Sequence, residues 1–484
     1  MSFPVLPRLR AHGLLIAGCL VLSACSLTPE YRRPDAPVPK QFPGVTEAGE
    51  AALPSWHDYY ADPELRRLIE AALTHNRNLR IAIARVDEAR GLAGVARTDR
   101  LPSLNAQLSE NLTRTPPDVL ATQAARTISR RFDGGLVMPS FELDFWGRVA
   151  ALTEAAQAQY LATSEAARSF RVSLIGDVAA VWFQLSELGE RERLITDSVR
   201  NREESLALLR QRRDAGLAGD LDVLSAESLV ASLRVQRADL QRQRQQTANA
   251  LRLLTGSTLP LPSPAETTAL TVPAPLATGL PSTVLLRRPD VLAAEQRLIA
   301  ANANIGVARA AFFPRLALTT SYGSASRALS GLFDGGSHAW AFQPVLSVPL
   351  FSAGRADANL DVAEARKHQA VADYERSIQQ AFSEVADALA ARASYAEQLT
   401  AQLDTLNALR QRHEQVQARE SAGVANYLEV LDARRDLIAA EQTAVTLRRQ
   451  VLAAAAMLYR TLGGGTEVAT NAATSAAVSA KTKH

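Results

Sequence analysis

Apolar positions in this chain keep two periods, and the switch between them occurs twice. Val291, Ala294, Leu298, Ala301, Ile305 and Ala308 recur at three- and four-residue spacing, the stripe of an amphipathic helix. Pro289 and Asp290 suit its first turn and Pro314 stops it. Beyond Pro314, Leu316, Leu318, Thr320 and Tyr322 alternate with Arg315, Ala317, Thr319 and Ser321, which predicts a strand over Arg315 to Tyr322. The earlier half reads the same way. Leu65, Leu68, Ile69, Ala72, Leu79, Ile83 and Val86 mark a helix over Asp62 to Arg100, Pro102 ends it, and a strand follows over Ser103 to Glu110. There Leu104, Ala106 and Leu108 share one face, while Ser103, Asn105, Gln107 and Ser109 make a polar one that suits the water-filled side of a barrel. Two further strands are predicted at about Leu136 to Phe145, with Val137, Phe141, Leu143 and Phe145 on one face, and at about Ala341 to Leu350. Pro139 and Pro344 are awkward inside strands and are expected at ends, bends or non-donating positions.

The two halves are an internal repeat. Gly94-Val95-Ala96-Arg97, Pro102 and Leu104 return as Gly306-Val307-Ala308-Arg309, Pro314 and Leu316, 212 residues later. Gly216, Leu221, Val223, Leu224, Ala226 and Gly256 return as Gly423, Leu428, Val430, Leu431, Ala433 and Gly463, 207 residues later, so the difference falls around the strands and their loops. Each half reads helix, strand, loop, strand, long helix, turn, long helix. Stripes through Tyr160, Phe170, Leu174, Val178, Leu185 and Leu188, and through Ile378, Phe382, Val385, Leu389, Leu399 and Leu406, predict coiled-coil struts. Their hairpin tips are expected near Leu188-Gly189 and Ser394-Tyr395.

Strands of eight to ten residues cross a bilayer when tilted. Four of them cannot close, and an open sheet edge in lipid leaves backbone groups unpaired at several kcal/mol each. The barrel must then be shared, and geometry alone permits two, three or four chains.

The N-terminus sets the compartment. Arg8 and Arg10, the apolar run Leu14 to Leu22 and the small residues Ser23-Ala24 have the order of a secretory signal, placed at 1-24. Residues 25-60 are rich in proline and predict an extended spacer. The first repeat is placed at 61-256, a Pro-rich linker at 257-284, the second repeat at 285-465 and a disordered tail at 466-484. The two cysteines, Cys19 and Cys25, both precede the body, which excludes a disulfide framework there. Lys plus Arg number 53 against 50 Asp plus Glu, a balance that gives no reason to expect nucleic acid. His57, His75, His338, His368 and His413 lack metal-ligand spacing, and Gly463-Gly464-Gly465 follows a helix without the Lys-Ser/Thr of a phosphate loop. No catalytic or metal site and no cofactor is expected.

The run from Leu286-Arg287-Arg288-Pro289-Asp290 through Ile305-Gly306-Val307-Ala308-Arg309 to Phe312-Phe313-Pro314 resembles the signature of the outer-membrane efflux channel family (TolC/OprM type), in its lipoprotein branch attached to resistance-nodulation-division multidrug efflux pumps. The likeness covers nearly the whole chain. It implies a mainly α protein with a membrane β-barrel part: a homotrimer whose twelve-stranded barrel, four strands per chain, continues into an α-helical periplasmic tunnel. Leu22-Ser23-Ala24-Cys25 resembles a lipobox, which implies diacylglycerol and N-acyl lipid on Cys25, and Ser26 implies delivery to the outer membrane. The implied partners are a periplasmic adaptor, an inner-membrane resistance-nodulation-division pump and outer-membrane lipid. The family also implies an equatorial position for Gly216 and Gly423, and a narrowed entrance where Asp387 and Arg392 would pair across helices. The same channel serving type I protein secretion is the nearest alternative; an adaptor or purely structural lipoprotein would lack the duplicated strands.

Overall fold

The computed structural model describes residues 26–43, 53–114, 116, 128–256, 260 and 282–464. Cys25, the signal segment, most of the Pro-rich linker and the C-terminal tail therefore lie outside the described residues. The helices are α1 (Trp56–Tyr59), α2 (Pro63–His75), α3 (Arg77–Thr98), α4 (Arg148–Asp214), α5 (Asp220–Thr255), α6 (Pro289–Ala310), α7 (Arg355–Ser421) and α8 (Tyr427–Thr461); the strands are β1 (Asn105–Arg114), β2 (Ile128–Leu143), β3 (Arg315–Ser326) and β4 (His338–Ser347). The duplication is plain in these lengths. α3 and α6 have 22 residues each, α4 and α7 have 67 each. At 1.5 Å per residue the latter are about 100 Å long, far beyond a core helix.

Contacts divide the chain into two compact units that each draw on both repeats. The first comprises Met1–Asp35, Arg85–Thr163 and Ala293–Tyr374, the second Ala36–Ala84, Ser164–Leu292 and Glu375–His484. The sequence repeats are thus not separate bodies, because each half lends strands to one shared sheet and helices to one shared bundle.

The first unit holds an antiparallel sheet in the order β1-β2-β3-β4. The β2–β3 pairing joins the two repeats, and β1 and β4 are its open edges. Register separates its faces, since residues directly opposite one another share a face. Leu108, Leu112, Phe132, Leu136, Met138, Leu316, Leu318, Tyr322, Trp340, Phe342 and Leu346 fall on one, with Glu110, Arg130 and His338 beside them toward the loop end of the sheet. Asn105, Gln107, Ser109, Arg131, Asp133, Gly135, Thr319, Ser321, Gly323 and Gln343 fall on the other.

A bulge keeps that separation intact. The β2–β3 register slips between Met138 and Phe141, so Pro139 and Ser140 together face Thr319, whose hydroxyl donates to the Pro139 carbonyl at 2.8 Å. Val137 consequently lies on the polar face and Phe141 and Leu143 on the apolar one, not on a single face as strict alternation predicts. Pro344 sits in the edge strand β4, where a missing N–H is tolerated. The strand bounds also shift: β2 begins eight residues before the predicted Leu136, and β4 ends at Ser347.

Three expectations about the helices are corrected. The predicted helix over Asp62 to Arg100 is two helices, because Asn76 breaks it: its N–H donates to the Ala72 carbonyl while its Oδ1 accepts from Leu79 N–H. α4 and α7 run unbroken through Leu188-Gly189 and Ser394-Tyr395. A lone helix-interior glycine costs only about 1 kcal/mol, and Leu188 is held in a core with Ile195, Val199, Leu233 and Leu240. The hairpin turns come instead at Gly216 and Gly423, with φ of 74° and 76°, the left-handed conformation that ends helices. These glycines therefore mark the tips and not an equatorial interruption.

Candidate channel lining and its supports

The polar sheet face gathers amide, hydroxyl and charged side chains from all four strands. Asn105, Gln107 and Ser109 stand opposite Val137, Gly135 and Asp133, and Ser103 lies just before the strand. A concavity on this side is lined by Gln107, Ser109, Arg131, Asp133, Thr319, Ser321 and Gln343 among others. Arg131 and Asp133 pair within it at 2.7 Å. At the centre, Gly135 and Gly323 are cross-strand partners whose backbones touch. A Cβ on Gly135 would stand 2.5 Å from the Tyr322 carbonyl oxygen, and one on Gly323 would stand 2.6 Å from the Gly135 Cα. On the other side Leu108, Leu136, Tyr322, Trp340, Phe342 and Leu346 are exposed in the single chain, an apolar band of the kind that faces lipid.

Where strands give way to helices, charge fixes the joint. Glu142 accepts two bonds from Arg148, at 2.8 and 2.7 Å, and a third from Arg315 at 2.6 Å. The first turn of α4 is thereby tied to the ends of β2 and β3. Trp146 stacks on Phe313 and donates its indole N–H to the Pro314 carbonyl at 2.8 Å, which accounts for the aromatic-proline end of the signature.

The segment after Cys25 is more than a spacer. Thr28 lies against Gly306 of α6, where a Cβ would come 2.9 Å from the Thr28 Cα. Asn302 donates to the Pro29 carbonyl at 2.7 Å, Arg33 makes a two-pronged bond to Glu295 at 2.7 Å, and the Tyr31 hydroxyl donates to the same carboxylate. Glu295 is buried, so the strap neutralises a charge that would otherwise stand alone. Burial and then Glu295 push the Tyr31 phenol well above its ordinary range. Sequence reading missed this role of Glu295 and Asn302; their only signal was polarity on the apolar side of the α6 stripe.

In the second unit the Arg-Arg-Pro-Asp start of the signature is a clamp. Arg288 is buried; it donates to the Thr461 carbonyl at the end of α8 and to Asp290 and Glu384. Burial works against its charge, but the two carboxylates more than offset that and hold the guanidinium above its usual range. Tyr59 stacks on Tyr459 at 4.4 Å, and their hydroxyls donate to the Ala455 and Pro54 carbonyls.

Asp387 and Arg392 do not meet at a tip. They lie inside α7, 34 and 29 residues before its end at Ser421, Asp387 exposed and Arg392 half-buried. Five helical residues place them about 140° apart around the axis, and among the described residues no ion pair joins them. Their assignment rested on a turn at Ser394-Tyr395 that the continuous helix removes. The turns that exist carry exposed apolar side chains: Leu217 and Leu221 beside Gly216, and Val424 and Leu428 beside Gly423. Asn426 caps α8 by accepting from Leu428 N–H, and Asp222 accepts from Gly219 N–H at the start of α5.

Among the described residues no helix is long and apolar enough to cross a membrane. The profile described as "Outer membrane efflux protein" matches residues 68–257 and 280–464. The solvent efflux pump outer membrane protein SrpC of Pseudomonas putida is 43% identical over 96% of this chain and 100% of its own length. The outer membrane protein OprJ of Pseudomonas aeruginosa is 43% identical over 95% of this chain and 96% of its own. A crystal structure of a membrane protein from Pseudomonas aeruginosa superposes with a TM-score of 0.86 at 41% identity, covering 93% of this chain and 100% of that one. Efflux across the outer membrane, rather than protein secretion, is the activity these relatives share in name. With matches of this extent to both repeats, and a sheet whose two faces suit water and lipid, the chain belongs to the outer membrane efflux protein family and is an outer-membrane channel component of an efflux pump.

Proposed function

We propose that three copies of this chain close their four-stranded sheets into one twelve-stranded barrel, forming the passive exit duct of a tripartite pump. The observation that carries this reading is the four-stranded sheet with open edges at β1 and β4 and one apolar face. In lipid those edges must pair, and neighbouring copies supply the strands. Drugs and small toxic compounds pass along the polar face. Relatives named for solvent and toluene efflux make apolar solvents the first substrates to try.

Two further assignments belong to this reading. Cys25 carries the diacylglyceryl and N-acyl lipid. In its favour, the strap that begins at Ser26 is bonded to α6 near Gly306, four residues before α6 ends and β3 follows, so the acyl chains would start close to the membrane sheet. The exposed Leu217, Leu221, Val424 and Leu428 at the hairpin turns receive the periplasmic adaptor, which links the channel to an inner-membrane resistance-nodulation-division pump. The energy for transport comes from that pump.

Native mass spectrometry of the detergent-extracted protein tests the assembly. Three acylated chains per particle are expected, and a monomer that keeps native β content would contradict the edge argument. A deletion strain exposed to toluene, antibiotics, dyes and detergents tests the substrate class.

A further inference from the structure

One cavity is absorbed by neither the lining nor the tips. It measures about 530 Å³ and lies in the second unit between α4, α7 and α8, lined by Ser198, Arg202, Arg212, His413, Tyr427 and Arg434 among others. Arg202 comes from α4 and Arg434 from α8, and both are half-buried. Among the described residues neither forms an ion pair with a carboxylate, in a chain where most other arginines of the bundle do. Arg191, Arg410, Arg412, Arg448 and Arg449, for instance, each have a Glu or Asp partner. Glu204 and Glu420 also border the cavity, yet neither reaches Arg202 or Arg434. Tyr427 lines the cavity beside Arg202, and its phenol and the Arg434 guanidinium act on the Arg202 charge in opposite directions.

We propose that this cavity binds a small polyvalent oxyanion, of the sulfate, phosphate or dicarboxylate class, bridging Arg202 and Arg434. Guanidinium forks match such ligands in geometry, and charge-assisted bonds are about twice as strong as neutral ones. Two partly desolvated cations on facing helices repel one another, and an anion between them converts that repulsion into a cross-link between the first helical hairpin and the second. His413 supports the assignment. Burial, then Arg434 and Arg202, hold its protonation below the ordinary histidine range, and a bound anion would reverse those last two effects. The charged or titratable groups around it are Arg202, Glu204 and Arg212 on α4, Glu414 and Glu420 on α7, and Tyr427 and Arg434 on α8.

Equilibrium dialysis of the full-length detergent-solubilised protein against radiolabelled sulfate, with chloride keeping ionic strength constant, tests this. Sulfate stays divalent between pH 6 and 8, and direct binding avoids the general stabilisation that sulfate gives most proteins. Saturable binding of one sulfate per chain is expected, about tenfold weaker in Arg434→Gln and largely recovered in Arg434→Lys. Binding should tighten from pH 7.5 to pH 6 as His413 gains its proton, and His413→Ala should abolish that tightening. Arg202→Gln also alters the surroundings of Tyr427, so Arg434→Gln, which breaks no hydrogen bond or ion pair among the described residues, is the deciding variant. Unsaturable uptake, equal binding by wild type and Arg434→Gln, or displacement by equimolar chloride would each overturn the proposal.

Discussion

Thr28 lies directly over Gly306, and the glycine at the repeat-related position, Gly94, has nothing within 4 Å of where its Cβ would be. The duplicated motif thus serves a different purpose in each half: in the second it makes room for the N-terminal strap. Ala at 306 should displace Thr28 and weaken the bonds from Asn302 to Pro29 and from Arg33 to Glu295. Ala at 94 should gain up to about 1 kcal/mol of helix propensity without a clash. Thermal unfolding of the two variants is therefore expected to move in opposite directions, with Gly306→Ala lower by about 1–3 kcal/mol and its strap newly open to proteolysis. Equal shifts would detach the strap from the signature.

Removing the clamp at Arg288 should cost more. Arg288→Ala leaves the Thr461 carbonyl unpaired and Asp290 and Glu384 facing one another. The cost is about 2–3 kcal/mol, below that of a wholly buried pair because both carboxylates keep some solvent. Arg288→Lys restores charge but not the fork, and should recover less than half. Melting temperatures of the solubilised protein check the order wild type, Lys, Ala.

The turns at Gly216 and Gly423 offer a separable test. Leu217→Asp and Leu428→Asp alter exposed side chains, so stability should change by less than about 0.5 kcal/mol. If the adaptor docks there, pull-down of the adaptor should fall at least fivefold and solvent tolerance of the strain should drop. Unchanged capture would place docking elsewhere on the helices.

Much of the fold was legible in the sequence because period carries it. The repeat, four strands, long helices and the proline anomalies all follow from spacing. What escaped was local. Strict alternation could not foresee that Pro139 and Ser140 share one partner, which transfers Val137 to the polar face. Neither could stripe counting locate the turns, since Leu188-Gly189 has the composition of a hairpin tip but sits inside a packed core, whereas Gly216 and Gly423 lead into runs rich in exposed Leu and Val. The misplaced tip in turn misplaced Asp387 and Arg392. Glu295 looked like an ordinary helical glutamate because its partners, Tyr31 and Arg33, are more than 260 residues away.

Sheet integrity gives a further prediction. Gly135→Ala and Gly323→Ala each drive a Cβ into the facing backbone, and no side-chain movement can relieve that. Both variants should lose the folded assembly proposed above in semi-native electrophoresis, whereas Gly335→Ala, which meets nothing within 4 Å, should not.

In the proposed barrel one face of this sheet meets water and the other lipid. Nitroxide labels placed singly at residues 105 to 112 in reconstituted protein, with power saturation by a water-soluble nickel complex and by oxygen, read it directly. Labels at Asn105, Gln107, Ser109 and Asn111 should collide with nickel, and those at Ala106, Leu108 and Leu112 with oxygen, giving two profiles of period two in opposite phase. Profiles in phase, or oxygen-accessible labels at Gln107 and Ser109, would contradict the channel described here.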